Sequence, residues 1–456
     1  MESFVFSKFN FYQKSDFSNS VLIYQSLHRR IARLSVQDAQ KIGISDGCQS
    51  HYVFFNEQLE NRLKDMGMIV PETYDENAAA HYQYLKEISD STLILTIVPT
   101  YRCNFRCPYC YQDHENGWVM REDTQDAIIR FVKKNISNYP SVEISWFGGE
   151  PLLCADMIVK INGAIRQICK ARYKTFQSTI TTNGYLLTKE LFEQLLDCGI
   201  RRYFITLDGL EAEHDRQRYL VNRSGTFQTI LNNLLSIKTV PRHRYFTVNI
   251  RSNISKANLD ALDDYLAYMH ERFADDSRFA FFFRQVYDWG GDTIDGFRQQ
   301  LLQKEADQMI FAKLLQSKVK LNYLEFFSDL TGSVVCYASK LNSFVINPDG
   351  SLNKCTCSEL RKNNLVGQLL QTGEMELNES LLGRWSTQYQ EAEACDQCFL
   401  QGLCLKSSCV APSVMDDQPG CNCFLARDNC KNLLLLLDKC DDDYPYIIDL
   451  TKSEKR

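Results

Sequence analysis

Residues 100–111 read Thr-Tyr-Arg-Cys-Asn-Phe-Arg-Cys-Pro-Tyr-Cys-Tyr. The cysteines Cys103, Cys107 and Cys110 are spaced C-x3-C-x2-C, with Tyr109 just before the last. The apolar run Thr92–Val98 directly upstream predicts a strand, so the cysteines fall on the loop leaving its C-terminal end. Three thiolates on one loop can take three corners of a cubane iron–sulfur cluster and leave the fourth iron without a protein ligand. Structural zinc wants four protein ligands, and so does an electron-transfer [4Fe–4S] cluster. A three-ligand loop therefore points to an external ligand and to chemistry at the open iron. The competing reading is a zinc site that borrows a distant fourth ligand.

Downstream of the loop, short apolar runs alternate with amphipathic segments. Strands are expected at Thr92–Val98, Val142–Phe147, Gln177–Thr182, Arg202–Asp208, Tyr245–Ile250 and Phe279–Val286. Helices are expected at Thr124–Ile136, Met157–Tyr173, Thr188–Cys198, Thr226–Ile237 and Leu259–Glu271. Such alternation predicts a parallel sheet. Six units over residues 91–330 predict an α/β fold, a partial (β/α)6 TIM-like barrel, with its chemistry at the C-terminal strand ends. Three further motifs fall at those ends. Trp146-Phe-Gly-Gly-Glu-Pro151 follows the second strand, Thr181-Thr-Asn-Gly184 the third, and Thr206-Leu-Asp-Gly209 the fourth, with His214-Asp-Arg-Gln-Arg218 soon after. A tight turn is the competing reading for Gly148-Gly149. Arg251 and Asn253 are expected just past the fifth strand. A strand-end salt bridge is the alternative for Arg251.

Residues 1–90 read as a small α+β module: a meander over 3–34, a helix from Ser35 to Lys41, and another over Asn56–Met66. Residues 331–456 are cysteine-rich. Short strands around Ser343–Ile346, the turn Asn347-Pro-Asp-Gly350 and a late helix Asn432–Lys439 are expected there. The chain of 456 residues holds 18 cysteines, eleven of them between Cys336 and Cys440. Clustering at such close spacings suits metal ligation better than a disulfide framework. Lys+Arg 51 against Asp+Glu 57 gives a formal charge of −6, a poor balance for binding nucleic acid or an anionic membrane. The longest apolar run, Leu433–Leu437, is far short of the roughly 20 residues that span a bilayer. The N-terminus lacks the n- and h-regions of a secretory signal. The expectation is a reduced, cytoplasmic, metal-loaded protein with neither a nucleic-acid nor a membrane partner.

The loop Cys103-x3-Cys107-x2-Cys110, Gly148-Gly149-Glu150, Thr182-Asn183-Gly184 and Leu207-Asp208-Gly209 with His214-Asp215-x2-Arg218 together resemble radical S-adenosylmethionine (SAM) enzymes. That resemblance implies a [4Fe–4S] cluster on Cys103, Cys107 and Cys110, with SAM on its open iron. One-electron reduction would then give a 5′-deoxyadenosyl radical that takes hydrogen from substrate. It further implies cofactor contacts from Tyr109, Gly148, Gly149, Glu150 (to the SAM ammonium), Asn183, Asp208 and Arg251.

The C-terminal pattern resembles the SPASM extension of peptide maturases. Cys336 is followed by 13 residues, Gly350, four residues and Cys355; Cys395, Cys398, Cys404 and Cys409 come later. It departs from the pattern in one place, where four residues rather than three separate Cys404 from Cys409. The resemblance implies two auxiliary [4Fe–4S] clusters, three clusters in all. One falls to Cys336, Cys355, Cys409 and Cys357. The other falls to Cys395, Cys398 and Cys404 with Cys421 or Cys423, Cys430 being a weaker candidate. A zinc-ribbon module is the alternative. Cys48, Cys154, Cys169, Cys198 and Cys440 are expected to be buried thiols.

At the sixth strand end, Arg284, Tyr287, Asp288 and Asp292 are candidates to bind substrate or remove a proton, against simple aromatic packing. His214 and Asp215 are expected to form a helix-start network. The N-terminal module weakly resembles the precursor recognition element of peptide maturases, which binds a leader by strand addition; a capping subdomain is the alternative. Together these imply a radical SAM/SPASM enzyme that cross-links a precursor peptide through a C–C, C–O or thioether bond, fed by a flavodoxin- or ferredoxin-type donor. The alternatives are a sulfatase-type maturase forming formylglycine, and a non-catalytic zinc-binding interaction protein.

Overall fold

The computed structural model describes residues 3–45, 48–49, 51–112, 114, 117–288, 292–302, 306–332, 335–357, 362–387, 395, 398–406, 409–411, 414, 427–440 and 445–450. The N-terminal module runs β1 (Phe4–Phe6), β2 (Asn10–Lys14), β3 (Ser20–Gln25), β4 (Arg30–Ser35), α1 (Val36–Lys41), β5 (Ile44–Ser45), β6 (Cys48–Gln49), α2 (Glu57–Asp65), β7 (Ile69–Pro71) and α3 (Glu76–Ile88). Strands β2–β4 form the expected antiparallel meander. Their period of two gives the sheet two working faces. Tyr12, Ile23 and Ala32 pack in the module's own core, while Leu22, Tyr24 and Ile31 join the core of the barrel. Ser35 caps α1 by accepting from Asp38 N at 3.0 Å, and Asn56 caps α2 by accepting from Leu59 N at 2.8 Å, each satisfying an orphan helix donor.

The barrel follows as β8 (Leu93–Ile97), α4 (Glu122–Asn135), β9 (Ser141–Trp146), α5 (Ala155–Ala171), β10 (Thr175–Thr182), α6 (Lys189–Cys198), β11 (Arg202–Thr206), α7 (Glu211–Gln217), α8 (Phe227–Lys238), β12 (Thr247–Ile254), α9 (Leu262–Phe273), β13 (Phe279–Gln285), α10 (Ala306–Gln316) and α11 (Leu324–Thr331). Strands β8 to β13 lie side by side in chain order, every neighbour parallel. Boundaries shift by up to three residues, and the end of the fifth strand by four. Strand β12 continues past Ile250 to Ile254, so Arg251 and Asn253 sit inside it, paired with Phe282 and Arg284. Their polar side chains hid the strand because they face a cavity rather than a core.

The cysteine-rich region continues the barrel sheet. Strand β14 (Ser343–Ile346) pairs in parallel with the outer edge of β8, and β15 (Ser351–Asn353), β16 (Leu365–Leu369) and β17 (Met375–Leu377) extend it antiparallel to ten strands. Asn347 to Gly350 make the expected turn, with Gly350 at φ +82°. After α12 (Glu379–Trp385), the single turn α13 (Gln401–Cys404) and α14 (Arg427–Lys439) comes β18 (Ile447–Asp449). It returns to the N-terminal sheet and pairs in parallel with β4. Helix α14 starts five residues earlier than expected. Among the described residues, no helix is long and apolar enough to cross a membrane.

Candidate functional site

The loop after β8 is held by hydrogen bonds from three sides. Gly149 N donates to Thr100 O at 3.0 Å and Glu150 N to Arg102 O at 2.8 Å, clipping the turn after β9 against it. Arg106 N donates to Tyr219 O at 2.9 Å, and Val221 N donates to Asn104 O at 3.0 Å. Asn183 Nδ2 donates to Asn104 Oδ1 at 2.8 Å from the turn after β10. This framing puts Cys103, Cys107, Tyr109 and Cys110 on one wall of a cavity of about 280 Å3. Gly148, Gly149, Asn183, Arg251 and Tyr287 line the same cavity. Gly148 needs its glycine: at φ +118° a side chain is strained, and a Cβ would stand 2.7 Å from Thr100 O.

Two predicted cofactor contacts stand behind that wall. Glu150 is buried, and its carboxylate accepts from Leu152 N (2.9 Å), Thr182 Oγ1 (2.6 Å) and Asn183 N (2.7 Å). An ionised carboxylate has about four acceptor sites, so it ties β9 to β10 and keeps capacity for a further donor. Burial raises its pKa, against the pull of those donors. Asp208 is also buried. It accepts from Asn253 N at 2.7 Å and from the Tyr109 hydroxyl, to which Arg218 Nη1 donates at 2.9 Å. Burial raises Asp208, opposed by the Arg218 guanidinium.

The expected helix-start network is present and reaches this trio. Asp208 N donates to His214 Nδ1 at 3.0 Å, which leaves the proton on Nε2 facing Thr226 Oγ1 at 3.1 Å; Thr226 Oγ1 donates to Arg218 O at 2.6 Å. Asp215 Oδ1 accepts from Thr226 N and Phe227 N at the start of α8. Burial and the nearby Arg218 charge push His214 well below its ordinary value, so it is neutral, in agreement with this bonding.

The sixth-strand candidates disperse. Tyr287 lines the cavity and reaches Asp307 on α10 at 3.4 Å. Arg284 pairs with Asp329 on α11 and lies over the Phe326 ring. Asp288 meets Arg298 at 3.3 Å. The side chain of Asp292 lies outside the described residues. Three residues of the site were not singled out from the sequence. Arg218 lines the cavity with its Nε buried and without a partner. Phe105, buried beneath the loop, lies under the Arg218 guanidinium at 5.5 Å. His114 Nε2 stands 3.4 Å from Cys110 Sγ. Only Arg218 had a signal, its place at the end of the His-Asp-x-x-Arg stretch.

Among the later cysteines, Cys355 and Cys357 adjoin, Cys357 N donating to Cys355 Sγ at 3.4 Å. Cys336 is pushed up to about 12 by burial and by the neighbouring Cys409 and Cys357. Cys355 is raised by its hydrogen bond with Cys357 and by burial. Cys357 also meets the Tyr111 hydroxyl and lies in the field of Arg251, so this group borders the first cavity. Cys398 N donates to Cys395 O at 3.1 Å, and Cys404 is buried on α13. Cys421 and Cys423 lie outside the described residues. Cys430, Cys169, Cys198 and Cys440 are buried, but Cys154 is only half-buried; the Cys48 side chain lies outside the described residues.

The donor set suits an iron–sulfur cluster. Burial pushes Cys103 up to about 12 and raises Cys107 too, so the free thiols are protonated and a bound metal's charge would ionise them. Arg218 and Arg251, which line the same cavity, favour an anionic occupant. Among the described residues, no three His, Cys, Asp or Glu side chains are grouped to hold a metal ion; the loop thiols share a cavity wall, as a cluster larger than one ion requires.

A second cavity, of about 450 Å3, opens inside the barrel. It shares Phe147, Thr181 and Phe204 with the first and is lined beyond them by Glu143, Lys340 and Tyr337.

Residues 97–252 match the Radical SAM superfamily. That span runs from the end of β8 into β12 and holds the cysteine loop and all three strand-end turns. That part of the chain is thus similar to radical SAM domains. Over 122 residues it is 37% identical to a GTP 3′,8-cyclase of Aliarcobacter butzleri (strain RM4018), covering 26% of this chain and 35% of the relative. Over 145 residues it is 30% identical to a GTP 3′,8-cyclase of Rhizobium meliloti (strain 1021), covering 31% and 38%. The match therefore spans little more than a third of these curated relatives. A solved structure of native anSMEcpe with bound AdoMet and the Cp18Cys peptide superposes with TM-score 0.56 at 17% identity, over 77% of this chain and 97% of that one. At that identity the likeness is one of fold.

Proposed function

We propose that the chain is a radical SAM enzyme that modifies a peptide. The observation that carries this reading is the placement of Cys103, Cys107 and Cys110 on one wall of a cavity that Gly148, Gly149, Asn183 and Arg251 complete. When bound there, a [4Fe–4S] cluster and SAM would supply a carbon radical able to abstract hydrogen. The three cysteines would hold the cluster. Glu150, with acceptor capacity left over, would take the SAM ammonium. Asp208, behind the wall, holds Tyr109, and Arg218 donates to the same hydroxyl from the cavity side, fixing the loop between Cys107 and Cys110.

A peptide substrate is supported by two neighbouring cavities that share Phe147, Thr181 and Phe204, one beside the cysteine loop and one lined by Tyr337. The fold neighbour with a bound Cys-containing peptide points the same way and keeps formylglycine formation as an alternative to cross-linking. The cyclase relatives favour a second reading, a nucleotide substrate. Auxiliary clusters on Cys336, Cys355, Cys357 and Cys409, and on Cys395, Cys398 and Cys404, belong to the leading reading, as do a precursor peptide and a flavodoxin- or ferredoxin-type donor.

The test is anaerobic reconstitution followed by assay for 5′-deoxyadenosine. Three clusters predict about 12 irons per chain. Replacing Cys103, Cys107 and Cys110 by Ala should abolish 5′-deoxyadenosine while leaving the auxiliary iron. Zinc as the main metal, or product from the triple variant, overturns the proposal. Mass spectrometry of a candidate peptide then separates a 2 Da loss, about that of one cross-link, from the larger change when Cys becomes formylglycine.

A further inference from the structure

The interior of a closed β/α barrel is ordinarily filled by bulky branched side chains. In this chain several inward positions are polar. Along β9, the period of two sends Val142, Ile144 and Trp146 into the main core and turns Ser141, Glu143 and Ser145 to the other face. Glu143 and Ser145 line the cavity of about 450 Å3, and Thr96 of β8 and Thr179 of β10 flank Ser145 in register. Ser145 Oγ and Thr179 Oγ1 satisfy each other at 3.0 Å. Glu143 is different. Among the described residues, no hydrogen bond or ion pair reaches its carboxylate.

The cation that shares the cavity, Lys340, is turned to other carboxylates. Its Nζ stands 4.0 Å from Glu87, on α3, and 3.9 Å from Asp90, just beyond that helix. Glu143 is half-buried, so its charge has lost part of its water without gaining a donor, which costs free energy. A cation entering the cavity would make a charge-assisted hydrogen bond there, in surroundings where opposite charges attract more strongly than in bulk water. The cavity also offers apolar wall from Ile94, Phe204 and Val335. That combination suits a long side chain with a methylene stem and a charged tip.

We propose that this second cavity is a subsite for a basic side chain of the substrate, with Glu143 binding its ammonium or guanidinium group. The cavity shares Phe147, Thr181 and Phe204 with that of the cysteine loop, so a group held in it lies beside the place where radical chemistry would occur. Glu143 stands four residues before Phe147, roughly 13 Å along the chain at about 3.3 Å per residue. The basic residue would therefore anchor the substrate, and a different residue would give up the hydrogen. Calling the ligand a substrate rests on the function proposed above; the preference of the cavity for a cation does not.

Isothermal titration calorimetry on the anaerobically reconstituted full chain tests this. The probes are Nα-acetyl-lysine N-methylamide and its arginine counterpart, with Nα-acetyl-norleucine N-methylamide as the uncharged control. The lysine or the arginine probe should bind at least about tenfold more tightly than the control. Glu143→Gln keeps the shape and removes the charge, and it should abolish that difference. Because no described group bonds to the Glu143 carboxylate, the same substitution should leave the urea unfolding midpoint where it was. Equal binding of the three probes, or none, overturns the proposal, as does a preference that survives Glu143→Gln. A lowered midpoint in the variant would make Glu143 a structural carboxylate and overturn it too. The titration uses neither reductant nor turnover. Loss of the charge preference therefore strikes the subsite alone, and absence of 5′-deoxyadenosine strikes the radical SAM reading alone.

Discussion

Gly149 makes the tightest backbone approach in the candidate site. A Cβ built on it would lie 2.2 Å from Arg102 O and 2.5 Å from Tyr101 O. Both are main-chain atoms of the loop carrying Cys103, so no flexible side chain can yield. Bringing the nearer contact out to van der Waals distance needs a displacement of roughly 1 Å. That displacement strains or breaks the hydrogen bonds from Gly149 N to Thr100 O and from Glu150 N to Arg102 O. At about 1 kcal/mol each, with strain added, Gly149→Ala should cost about 2–4 kcal/mol of stability. A misplacement of about 1 Å in a positioned site costs on the order of a hundredfold in rate. The matched control is Gly163→Ala. Gly163 lies inside α5, and a Cβ there would meet nothing within 4 Å. The same chemical change should stabilise by about 0.8–1 kcal/mol. Denaturant unfolding of the two variants, with 5′-deoxyadenosine formation after anaerobic reconstitution, measures both effects. A Gly149→Ala protein as stable and as active as the wild type would refute the claim that this turn sets the position of the cysteine loop.

Asp208→Asn removes the carboxylate that faces the buried Arg218 charge through the Tyr109 hydroxyl, and losing a hydrogen bond to a charged buried group should cost about 1.5–3 kcal/mol; urea unfolding reads it, and no measurable loss would mean Arg218 is compensated elsewhere. His214 is held neutral, so its folded pKa lies below its unfolded value of about 6.5. The unfolded chain then binds the extra proton first, and stability, full above about pH 6.5, falls by up to about 1.4 kcal/mol per unit as pH drops toward the folded pKa. His214→Gln should flatten that acid limb, and an unchanged limb would assign it to another group. Removing residues 342–456 strips β8 of β14 and frees the donors Ile94 N and Val98 N, now bonded to Asn342 O and Ile346 O at 2.9 and 3.0 Å. An exposed apolar parallel edge should aggregate, so size-exclusion chromatography should find no soluble monomer.

The barrel was legible because its signals are local. The period of two in Val142–Phe147 and the Thr188 cap with Gly199 ending α6 each mark an element within a few residues. Strand β12 was misread where its inward side chains change role. Apolar alternation marks a strand that lines a core, whereas Arg251 and Asn253 line a cavity and break the pattern. The site was legible as a list of turns and only partly as an arrangement. Spacing put Glu150 near a cofactor, yet its three protein partners come from the 3-10 turn at Leu152 and from β10, and nothing in Gly-Gly-Glu specifies them. Arg284 illustrates the opposite error. It stands at a strand end in the sequence, but its guanidinium turns to Asp329 on a helix 45 residues away. The pairing of β14 with β8 and of β18 with β4 had no local trace at all, since each joins segments hundreds of residues apart through a few backbone bonds.

Those two non-local pairings change what the cysteine-rich region is. A separate domain tethered by a linker would place its thiols at variable distances from the barrel. Here Val345 and Ile346 run in register with Thr96 and Ile97, and the turn that follows returns through Asn347, whose Oδ1 accepts from Tyr101 Oη at 2.9 Å. Tyr101 is two residues from Cys103, and the hairpin leaving Asn347 reaches Cys355 within eight. The turn reverses the chain, so β15 runs back along β14 with Asn353 opposite Val345, and Cys355 and Cys357 follow toward the start of β14. Parallel pairing aligns the C-terminal ends of β8 and β14 on the same side of the sheet. The spacing between the two sets is thus a property of the sheet register, and a one-residue slip of β14 would turn its side chains to the opposite face.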